Sequence, residues 1–563
     1  MTSAKESISR LAAILKAKGI KNVVFSPGSR NAPLIISIAN DPYFTCYNIP
    51  DERSAAFFAM GIGLATRQPV VICCTSGSAA INYGPAISEA YYQKIPLIIL
   101  TADRPQEWID QRAGQTIRQT DLYRNYIKFS TQLRQEVHDE DDLWYNDRLI
   151  NQAIETATSG GDGPVHINVP LKEPLYDQVE SYADLPKLIS KSKTHASLSN
   201  NRIQELRNQF DSHEKVLVIC GQHHPDERWS KAITKLSKVS SVVVLTELTS
   251  NVYGDNIISC IDRTINNIED LDVEAYKPTL LITCGYSLVS KKIRFLLRDM
   301  HISQHWHVDA DDEFIDTYMS LTDIIPVGIE YFVETIIQRT DSLKNPYKKR
   351  WLDLDLYKKE KHEEYLDTAP WSDLKVVHQV MNAIPDDTHV HMANSTSVRY
   401  AQLFDVNETL TFQCNRGVSG IDGCNSTGVG YATCNTALNV LITGDLAFFY
   451  DANAFWNAYV PTNFRVLILN NQGGNIFRVI NGPATTEHLE THFEAHHKTN
   501  AQGIASANGL KYLSADDAES LNHGLGQFLG ESPEAIILEV FTPRLENDKV
   551  LKAYFQHIRM SKY

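Results

Sequence analysis

The sequence predicts an α/β fold of three successive domains, each built around a central parallel sheet. Short apolar runs of strand length alternate with helical stretches along the whole chain, the pattern typical of layered strands and helices. A chain of 563 residues is also too long for one hydrophobic core. We therefore expect three Rossmann-like domains, at residues 1–180, 198–342 and 370–563.

The predicted strands are apolar runs that end in small or polar residues. In the first domain they are Asn22–Ser26, Val70–Cys74, Leu97–Thr101 and Gly163–Pro170. In the second they are Val216–Cys220, Val242–Thr246, Leu280–Cys284 and His305–Val308, and in the third His389–Met392, Asn439–Thr443, Val466–Leu469 and Ala535–Val540. Helices are expected at Met1–Lys18, Ser54–Thr66 and Ala79–Gln93, with a polar linker at Asp177–Asn200 and a charged connecting helix at Lys344–Glu364.

Composition places the chain among ordinary globular proteins, with 43% hydrophobic and 21% charged residues. No apolar run approaches the roughly 18 residues needed to cross a bilayer, so no membrane insertion is expected. The N-terminus lacks the apolar core and cleavage site of a signal peptide. Nine cysteines without a CxxC pair indicate reduced thiols. A cytoplasmic location is therefore expected.

The net charge of −15 argues against nucleic acid as a partner, because nucleic-acid binding needs a basic surface. It also sets a condition on any anionic substrate. The overall field of the protein would repel such a substrate. Basic residues would therefore have to be concentrated at the binding site.

Two strand ends in the third domain predict a metal site. The strand Asn439–Thr443 runs into Gly444-Asp445, and Val466–Leu469 runs into Asn470-Asn471-Gln472-Gly473. In a parallel sheet both segments reach the carboxyl edge, where ligands bind. A carboxylate, an amide oxygen and a backbone carbonyl are ligands that magnesium accepts. Gly-Asp alone would indicate only a turn, but its spacing to Asn471 resembles the thiamine-diphosphate signature.

Glu52 lies ahead of a helix rich in small residues, Ser54–Thr66. Read alone, it would be a helix N-terminal carboxylate favoured by the helix dipole. Its place after a strand also matches the cofactor-activating glutamate of thiamine-diphosphate enzymes. In that role a carboxylate bound to the pyrimidine ring lets the cofactor supply its own base.

Motifs in both outer domains carry a narrower resemblance. They are FSPGSRNAPL at Phe25–Leu34, TADRP at Thr101–Pro105, GQTIRQ at Gly114–Gln119, ANSTSVR at Ala393–Arg399, NRGVSGIDG at Asn415–Gly423, GDLAFFYDAN at Gly444–Asn453 and NNQGGNIF at Asn470–Phe477. In this order they resemble the 2-succinyl-5-enolpyruvyl-6-hydroxy-3-cyclohexene-1-carboxylate synthase family. Across the middle domain the resemblance is weak, apart from Ser290-Lys291-Lys292.

The resemblance implies a function and an assembly. The family uses thiamine diphosphate with Mg²⁺, or alternatively Mn²⁺, to join 2-oxoglutarate to isochorismate with loss of carbon dioxide in menaquinone biosynthesis. It implies a pyrimidine domain, a middle domain and a diphosphate domain, in that order. Because the first domain of one subunit and the third of another hold the cofactor together, a homodimer is the minimum unit. A tetramer of two dimers is compatible with this scheme.

The resemblance also assigns residues. The catalytic residue is Glu52, and the substrate site comprises Ser29, Arg30, Arg104, Gln115, Lys291, Lys292, Ser395, Arg399, Arg416, Ile476, Phe477 and Ile480. The cofactor site comprises Glu52, Ser78, Ser395, Ile421, Gly444, Asp445, Leu446, Asn471, Gly473 and Ile476, with Asp445, Asn471 and Gly473 on the metal. Three positions depart from the family pattern: Gly114 stands for Asn, Ser78 for Thr and Lys292 for Arg.

Read individually, several of these residues have simpler explanations. Lys291-Lys292 could be a solvated helix face, and Ile480 could be ordinary core. For the segment with His488, His492, His496 and His497 we expect a mobile, partly helical flap or plain surface rather than a metal site. An acetolactate-synthase-like or decarboxylase-like enzyme is one alternative function. A non-catalytic α/β nucleotide-binding protein is another, although no GxGxxG follows the first strand.

Overall fold

Three six-stranded sheets carry the fold in a computed structural model of the chain. The structure describes residues 1–182, 184–192, 194, 196–338, 345–480 and 482–560. The strands of the first two sheets are all parallel. The third sheet has parallel pairs on either side of its centre. The predicted α/β fold with parallel sheets is confirmed.

Each sheet arranges its strands in an order that differs from their order along the chain. From one edge to the other, the first sheet contains Thr45–Asn48, Asn22–Phe25, Val70–Cys74, Leu97–Asp103, Val165–Pro170 and Phe129–Gln132. The second contains Ile257–Ile258, Val242–Leu245, Val216–Cys220, Leu280–Cys284, His305–Val308 and Asp323–Ile325. The third contains Thr411–Cys414, His389–Met392, Asn439–Gly444, Phe464–Asn470, Ile536–Phe541 and Lys511–Ala515. A short antiparallel pair joins Thr2–Ser3 to Gln178–Val179.

The α-helices occupy the connections between these strands. Those before residue 200 are Glu6–Ala17, Ala32–Ala39, Glu52–Thr66, Ser78–Asn82, Gly84–Tyr92 and Glu140–Ala157. Those from 200 to 370 are Asn200–Ser212, Glu227–Ser237, Ile261–Thr264, Val273–Tyr276, Lys292–Asp299, Ile329–Ile336 and Pro346–Thr368. The remainder are Asp373–Ala383, Thr396–Ala401, Cys424–Ala432, Asp445–Tyr450, Ile476–Val479, Gln502–Ala507, Ala518–Leu529 and Asn547–His557.

The outer sheets share one topology. Numbered within each sheet, their strands lie in the order 2-1-3-4-6-5, whereas the middle sheet has the order 3-2-1-4-5-6. In the outer sheets the chain changes direction between strands 1 and 3. The loops that follow strands on either side of such a point form a crevice at the carboxyl edge. The segments after Met392 and Gly444 lie at this point in the third sheet.

Among the described residues, six strands of the three large sheets were given no predicted range, and each is an edge strand: Thr45–Asn48, Phe129–Gln132, Ile257–Ile258, Asp323–Ile325, Thr411–Cys414 and Lys511–Ala515. Central strands are covered by helices on both faces, so they are continuous apolar runs. In the middle sheet, for example, Val216 and Val218 enter one buried cluster and Leu217 and Ile219 another. An edge strand needs no such run, and these six segments are either too short or too polar to form one.

The predicted helices and connections are shifted or divided in places. The N-terminal helix is shorter than expected, and Ala79–Gln93 forms two helices that meet at Tyr83–Gly84, with Pro85 in the first turn of the second. The connecting helix extends to Thr368. Its predicted start at Lys344, the boundaries at 342 and 563, and positions 183, 193 and 195 of the linker lie outside the described residues.

The chain forms two compact units, one of residues 1–193, 417–436 and 447–464, the other of 194–416, 437–446 and 465–563. In the first unit the helices Glu52–Thr66 and Cys424–Ala432 pack with their backbones nearly in contact. A Cβ on Gly61 would lie 2.1 Å from the carbonyl oxygen of Thr427, and one on Gly430 would lie 2.0 Å from that of Phe58. The small residues after Glu52 are therefore required for this packing. The predicted domain boundaries stay predictions.

Candidate functional site

Asp445 lies where the third sheet predicts a ligand site, at the end of the strand Asn439–Gly444. Its carboxylate is buried and held by two backbone N–H groups. Leu446 N donates to Oδ1 at 2.6 Å, and Gly473 N donates to Oδ2 at 2.9 Å. Nε2 of His497 lies 3.3 Å from Oδ2. The two predicted strand ends are thus brought together in the second unit.

Asn471 is oriented by a carboxylate that the sequence did not reveal. Its Nδ2 donates to Oδ2 of Asp373 at 2.9 Å. Its Oδ1 is buried and has no hydrogen-bond partner among the described residues. A buried amide oxygen without a partner is costly unless a ligand satisfies it. This oxygen fits the predicted role of Asn471 as a metal ligand.

Gly473 is required by its surroundings. Its φ of +149° is unfavourable for other residues, and a Cβ would lie 2.6 Å from the carbonyl oxygen of Glu494. That carbonyl accepts the N–H of Gly474 at 2.6 Å. The loop that carries Asn471 and Gly473 is therefore held against the histidine-rich segment, the stretch that contains His488, His492, His496 and His497.

The histidine-rich segment is partly helical, as expected, with a π-helix at Leu489–Phe493. His488, His492 and His496 are exposed, which leaves the surface alternative open for them, whereas Glu494 is buried. Its carboxylate accepts hydrogen bonds from Nη2 of Arg478 at 2.8 Å and Nη1 of Arg544 at 2.5 Å. Across the parts of the chain that the structure describes, no three His, Cys, Asp or Glu side chains form a metal-binding group. The predicted metal ligands would not form such a group, because Asp445 is the one carboxylate among them and Asn471 and Gly473 contribute carbonyl oxygens.

The serine-rich turn after Met392 contributes one hydroxyl group near Gly444, that of Ser397. Ser395 has a left-handed φ of +73°, a strained conformation for a residue with a side chain. Ser397, which sequence reasoning missed, is buried, and its Oγ has no hydrogen-bond partner among the residues that the structure describes. That oxygen lies 3.9 Å from where a Cβ of Gly444 would be. A hydroxyl group of this kind beside a glycine suits the oxygens of a diphosphate.

The predicted apolar wall follows the loop of Asn471 and Gly473 along the chain. Ile476 and Phe477 lie in the short helix Ile476–Val479, and the Phe477 ring centre is 5.7 Å from that of Phe493. Ile480 is 37% exposed, so it is not ordinary core.

Glu52 is the first residue of its helix in the first unit, so the helix begins two residues before the predicted start at Ser54. Asp51 caps this helix by accepting the N–H of Ser54 at 3.1 Å, and its other oxygen accepts from Asn453 at 2.6 Å. The Glu52 carboxylate lies 3.4 Å from Nδ2 of Asn82. Arg53 turns away from it and donates to the carbonyl of Tyr450 at 2.7 Å. These neighbours fix the start of the helix, and among the described residues the Glu52 carboxylate itself has one hydrogen bond, the long one to Asn82.

A buried amide network holds the predicted loops of the first sheet together. Gln119 accepts the N–H of Gly77 at 2.9 Å and donates to Oδ1 of Asn168 at 3.0 Å. Gly77 has a φ of +87°, and a Cβ there would lie 3.1 Å from Cα of Gln115. The network therefore places the start of the helix Ser78–Asn82 beside the loop of Gln115.

Arg30 is paired in the structure. Its guanidinium donates to Glu173 Oε2 at 2.7 Å and Oε1 at 3.0 Å, and to the carbonyl of Leu171 at 2.9 Å. These bonds to Arg30 lower the pKa of Glu173. Ser29 and Glu173 line the same open cavity of about 600 Å³.

Three other predicted arginines have no carboxylate within salt-bridge distance among the described residues: Arg104, Arg399 and Arg416. Arg416 donates instead to Oδ1 of Asn394 at 2.8 Å, and Arg399 lies 3.4 Å from the carbonyl of Val289. Burial lowers the pKa of Arg399. A guanidinium group whose partners are neutral oxygens can still donate hydrogen bonds to an anionic ligand.

In the predicted lysine pair, Lys292 already has a partner within the protein. Lys292 places its Nζ 3.6 Å from the ring centre of Phe555, so it is already engaged in a cation–π contact. The loop before it is held by buried Glu247, which sequence reasoning missed. Glu247 accepts the N–H groups of Val289 at 2.6 Å and Ser290 at 2.7 Å. Burial raises the pKa of Glu247 to about 7.

Another missed carboxylate supports the loop of Ile421. Buried Glu89 accepts the N–H groups of Gly417 at 2.5 Å and Val418 at 2.8 Å, and Ser419 N lies at 3.3 Å. Burial raises the pKa of this carboxyl group. The predicted residues are thus divided between the two units, and their roles stay predictions.

Comparison with known proteins also indicates a thiamine-diphosphate enzyme. The thiamine pyrophosphate enzyme N-terminal TPP-binding domain matches residues 8–122, and the middle domain of thiamine pyrophosphate enzymes matches residues 183–392. Across the residues that the structure describes, no helix is both long and apolar enough to span a membrane.

Three relatives carry the name 2-succinyl-5-enolpyruvyl-6-hydroxy-3-cyclohexene-1-carboxylate synthase. The relative from Flavobacterium psychrophilum is 41% identical over 97% of this chain and 97% of its own. The Bacteroides thetaiotaomicron relative is 38% identical over 99% of this chain and 100% of its own. The Porphyromonas gingivalis relative is 38% identical over 100% of this chain and 98% of its own.

Proposed function

Because the chain belongs to the 2-succinyl-5-enolpyruvyl-6-hydroxy-3-cyclohexene-1-carboxylate synthase family, we propose that it joins 2-oxoglutarate to isochorismate with loss of carbon dioxide. It is a thiamine-diphosphate-dependent transferase of menaquinone biosynthesis. The observation that carries the proposal is the near full-length likeness to these synthases. The geometry around Asp445 and Asn471 supports it independently.

The residues present fit a divalent cation and a diphosphate. Asp445, Asn471 Oδ1 and the Gly473 carbonyl would hold Mg²⁺ or Mn²⁺, and Ser395, Ser397, Gly444 and Leu446 would border the diphosphate. The supporting observations are the unpartnered Asn471 Oδ1 and Ser397 Oγ. When bound, thiamine diphosphate supplies a stabilised carbanion equivalent for forming a carbon–carbon bond.

Glu52 would hold a proton at a pyrimidine nitrogen of the cofactor. A carboxylate suits this task because it forms a strong, charge-assisted hydrogen bond to a protonated ring nitrogen. Its position is supported by the Asp51 cap and by the close packing of its helix against Cys424–Ala432. Ile421, on the loop held by Glu89, would provide an apolar contact that supports the cofactor.

The substrate site would be the cationic set Arg30, Arg104, Lys291, Lys292, Arg399 and Arg416, with Ser29, Gln115 and Ser395. The two substrates together carry four carboxylates, which a chain with a net charge of −15 would otherwise repel. The three arginines without a carboxylate partner in the described structure support this assignment. Ile476, Phe477 and Ile480 would form the apolar side of the site and exclude water.

The family scheme further implies that Glu52 and Asp445 of one active site come from different chains. We therefore propose a homodimer as the minimum unit. A cytoplasmic location agrees with the nine cysteines, which form no disulfide in the described part of the chain.

Two substitutions test the cofactor assignments in opposite ways, and each is the other's control. Glu52→Gln should reduce turnover about 100-fold or more, as expected for loss of a proton-handling group. It should leave Mg²⁺-dependent binding of thiamine diphosphate intact. Asp445→Ala should instead lose that binding, measured by quenching of tryptophan fluorescence. Equal loss of affinity in both variants would contradict the roles given to them.

Mixing the two variants tests the assembly. A hybrid dimer of Glu52→Gln and Asp445→Ala chains contains one doubly altered site and one unaltered site. If sites are shared between chains, subunit exchange between the two inactive variants should restore part of the activity. No recovery despite verified exchange would show that each chain carries its own complete site.

A further inference from the structure

The amide of Asn471 has only one orientation that its surroundings accept. An ionised carboxylate can only accept hydrogen bonds, so the group that faces Asp373 must be the NH₂ end of the amide. The contact is 2.9 Å long, and Asp373 is completely buried. The carbonyl end, Oδ1, is consequently the atom left without a partner in the described structure.

The other oxygen of Asp373 is committed as well. Thr542 donates its hydroxyl to Oδ1 of Asp373 at 2.6 Å. The same hydroxyl oxygen accepts from Nδ2 of Asn547 at 3.1 Å, so its own proton points toward Asp373. Asn547 also accepts the backbone N–H of Asp373 at 2.8 Å. Donors therefore reach both carboxylate oxygens from fixed directions.

We infer that Asp373 is a positioning residue for the metal site: it fixes the amide of Asn471 so that Oδ1 is the atom offered to the cation. This rests on the proposed function, because it assumes that Asn471 is a metal ligand. Asp373 lies 98 residues from Asn471 in the sequence and belongs to none of the motifs of the ligand loops. A partner behind a metal ligand commonly changes metal affinity by about 10- to 100-fold.

Asp373→Asn should turn the amide of Asn471. The hydroxyl of Thr542 still requires an acceptor, so the carbonyl oxygen of the new side chain would face Thr542. Its NH₂ group would then face Asn471, which must present its own oxygen to that donor and its NH₂ to the cation. We expect the affinity for Mn²⁺ in the presence of thiamine diphosphate, measured by electron paramagnetic resonance, to fall about tenfold or more. Turnover at saturating metal should fall much less.

Exchanging the two residues should reverse the loss. In Asp373→Asn/Asn471→Asp the new amide donates to the new carboxylate, whose second oxygen is again free for the cation. Asn471→Asp alone places two carboxylates against each other and should also weaken metal binding. Thr542→Val is the matched control, because it removes a neighbouring hydrogen bond but leaves the Asp373–Asn471 contact.

The inference holds if both single variants lose Mn²⁺ affinity, the exchange restores most of it and Thr542→Val stays within about threefold of the unaltered protein. It is overturned if Asp373→Asn keeps full affinity, if Thr542→Val loses as much, or if the folded exchange variant binds no better than Asn471→Asp. The last comparison decides the matter even if Asp373→Asn does not fold. Normal Mn²⁺ binding without consumption of isochorismate would instead contradict the proposed function alone.

Discussion

At the scale of single residues, buried carboxylates recur as supports behind the site. Asp373, Glu89, Glu247 and Asp451 are all nearly inaccessible, and each accepts hydrogen bonds from a loop or helix that carries predicted site residues or packs beside them. A buried charge is tolerated only when its partners are in place. These partners are distant in sequence, so no local pattern marks such residues in advance.

Asp451 provides a pH-dependent prediction. It accepts the N–H of Ser426 at 2.6 Å and its hydroxyl at 2.7 Å, and burial raises its pKa to about 7. Since this pKa is above the unfolded value, the folded state binds more protons between about pH 4 and 7. The contribution of Asp451 to the free energy of unfolding therefore falls as pH rises through this range and stays low above it.

Asp451→Asn removes this titration and keeps the shape of the side chain. The stability of the variant relative to the unaltered protein should rise between pH 5 and pH 8 by roughly 2 kcal/mol, because one pKa unit corresponds to about 1.4 kcal/mol. Urea unfolding at both pH values measures the difference. A difference that is the same at both would show that Asp451 keeps an ordinary pKa in the folded protein.

At the scale of elements, the helix pair Glu52–Thr66 and Cys424–Ala432 supports the position of Glu52. Its close approach leaves no room for a side chain at Gly430, where a Cβ would lie 2.0 Å from the backbone oxygen of Phe58. A backbone neighbour cannot move aside as a flexible side chain can. Separating these helices would shift the start of the helix that carries Glu52.

Gly430→Ala should therefore destabilise the protein by roughly 3 kcal/mol or more. Gly526→Ala is a matched control, because it also lies in a helix, Ala518–Leu529, and a Cβ there would meet nothing within 4 Å. That control should be neutral or stabilising by up to about 1 kcal/mol, because alanine favours the helix. Chemical denaturation of both variants tests the packing, and a stable Gly430→Ala protein would contradict it.

The elements also show what sequence reasoning can reach. Central strands such as Val70–Cys74 and Val216–Cys220 were predicted to the residue, because burial on both faces makes them continuous apolar runs. The approach of Asp445 to Gly473 followed from two strand ends at one sheet edge. Edge strands did not follow, because only one side of each is paired and no continuous apolar run is needed.

At the scale of the whole molecule, charge connects the fold to its proposed substrates. The chain has 68 acidic and 53 basic residues, yet Arg104, Arg399 and Arg416 lack a carboxylate partner in the described part of the chain. Their motifs could be located in the sequence, but their lack of ion pairs could not, because it depends on which acids the fold brings near. Arg30, by contrast, does have a carboxylate partner, and the structure was needed to identify it as Glu173.

The central claim is that this enzyme joins two polyanions rather than decarboxylating one. The most direct measurement incubates the protein with thiamine diphosphate, Mg²⁺, 2-oxoglutarate and isochorismate, and follows carbon dioxide and isochorismate together. We predict that one molecule of isochorismate disappears for each molecule of carbon dioxide released, and that neither changes when 2-oxoglutarate is omitted. Release of carbon dioxide from 2-oxoglutarate while isochorismate stays constant would contradict the account.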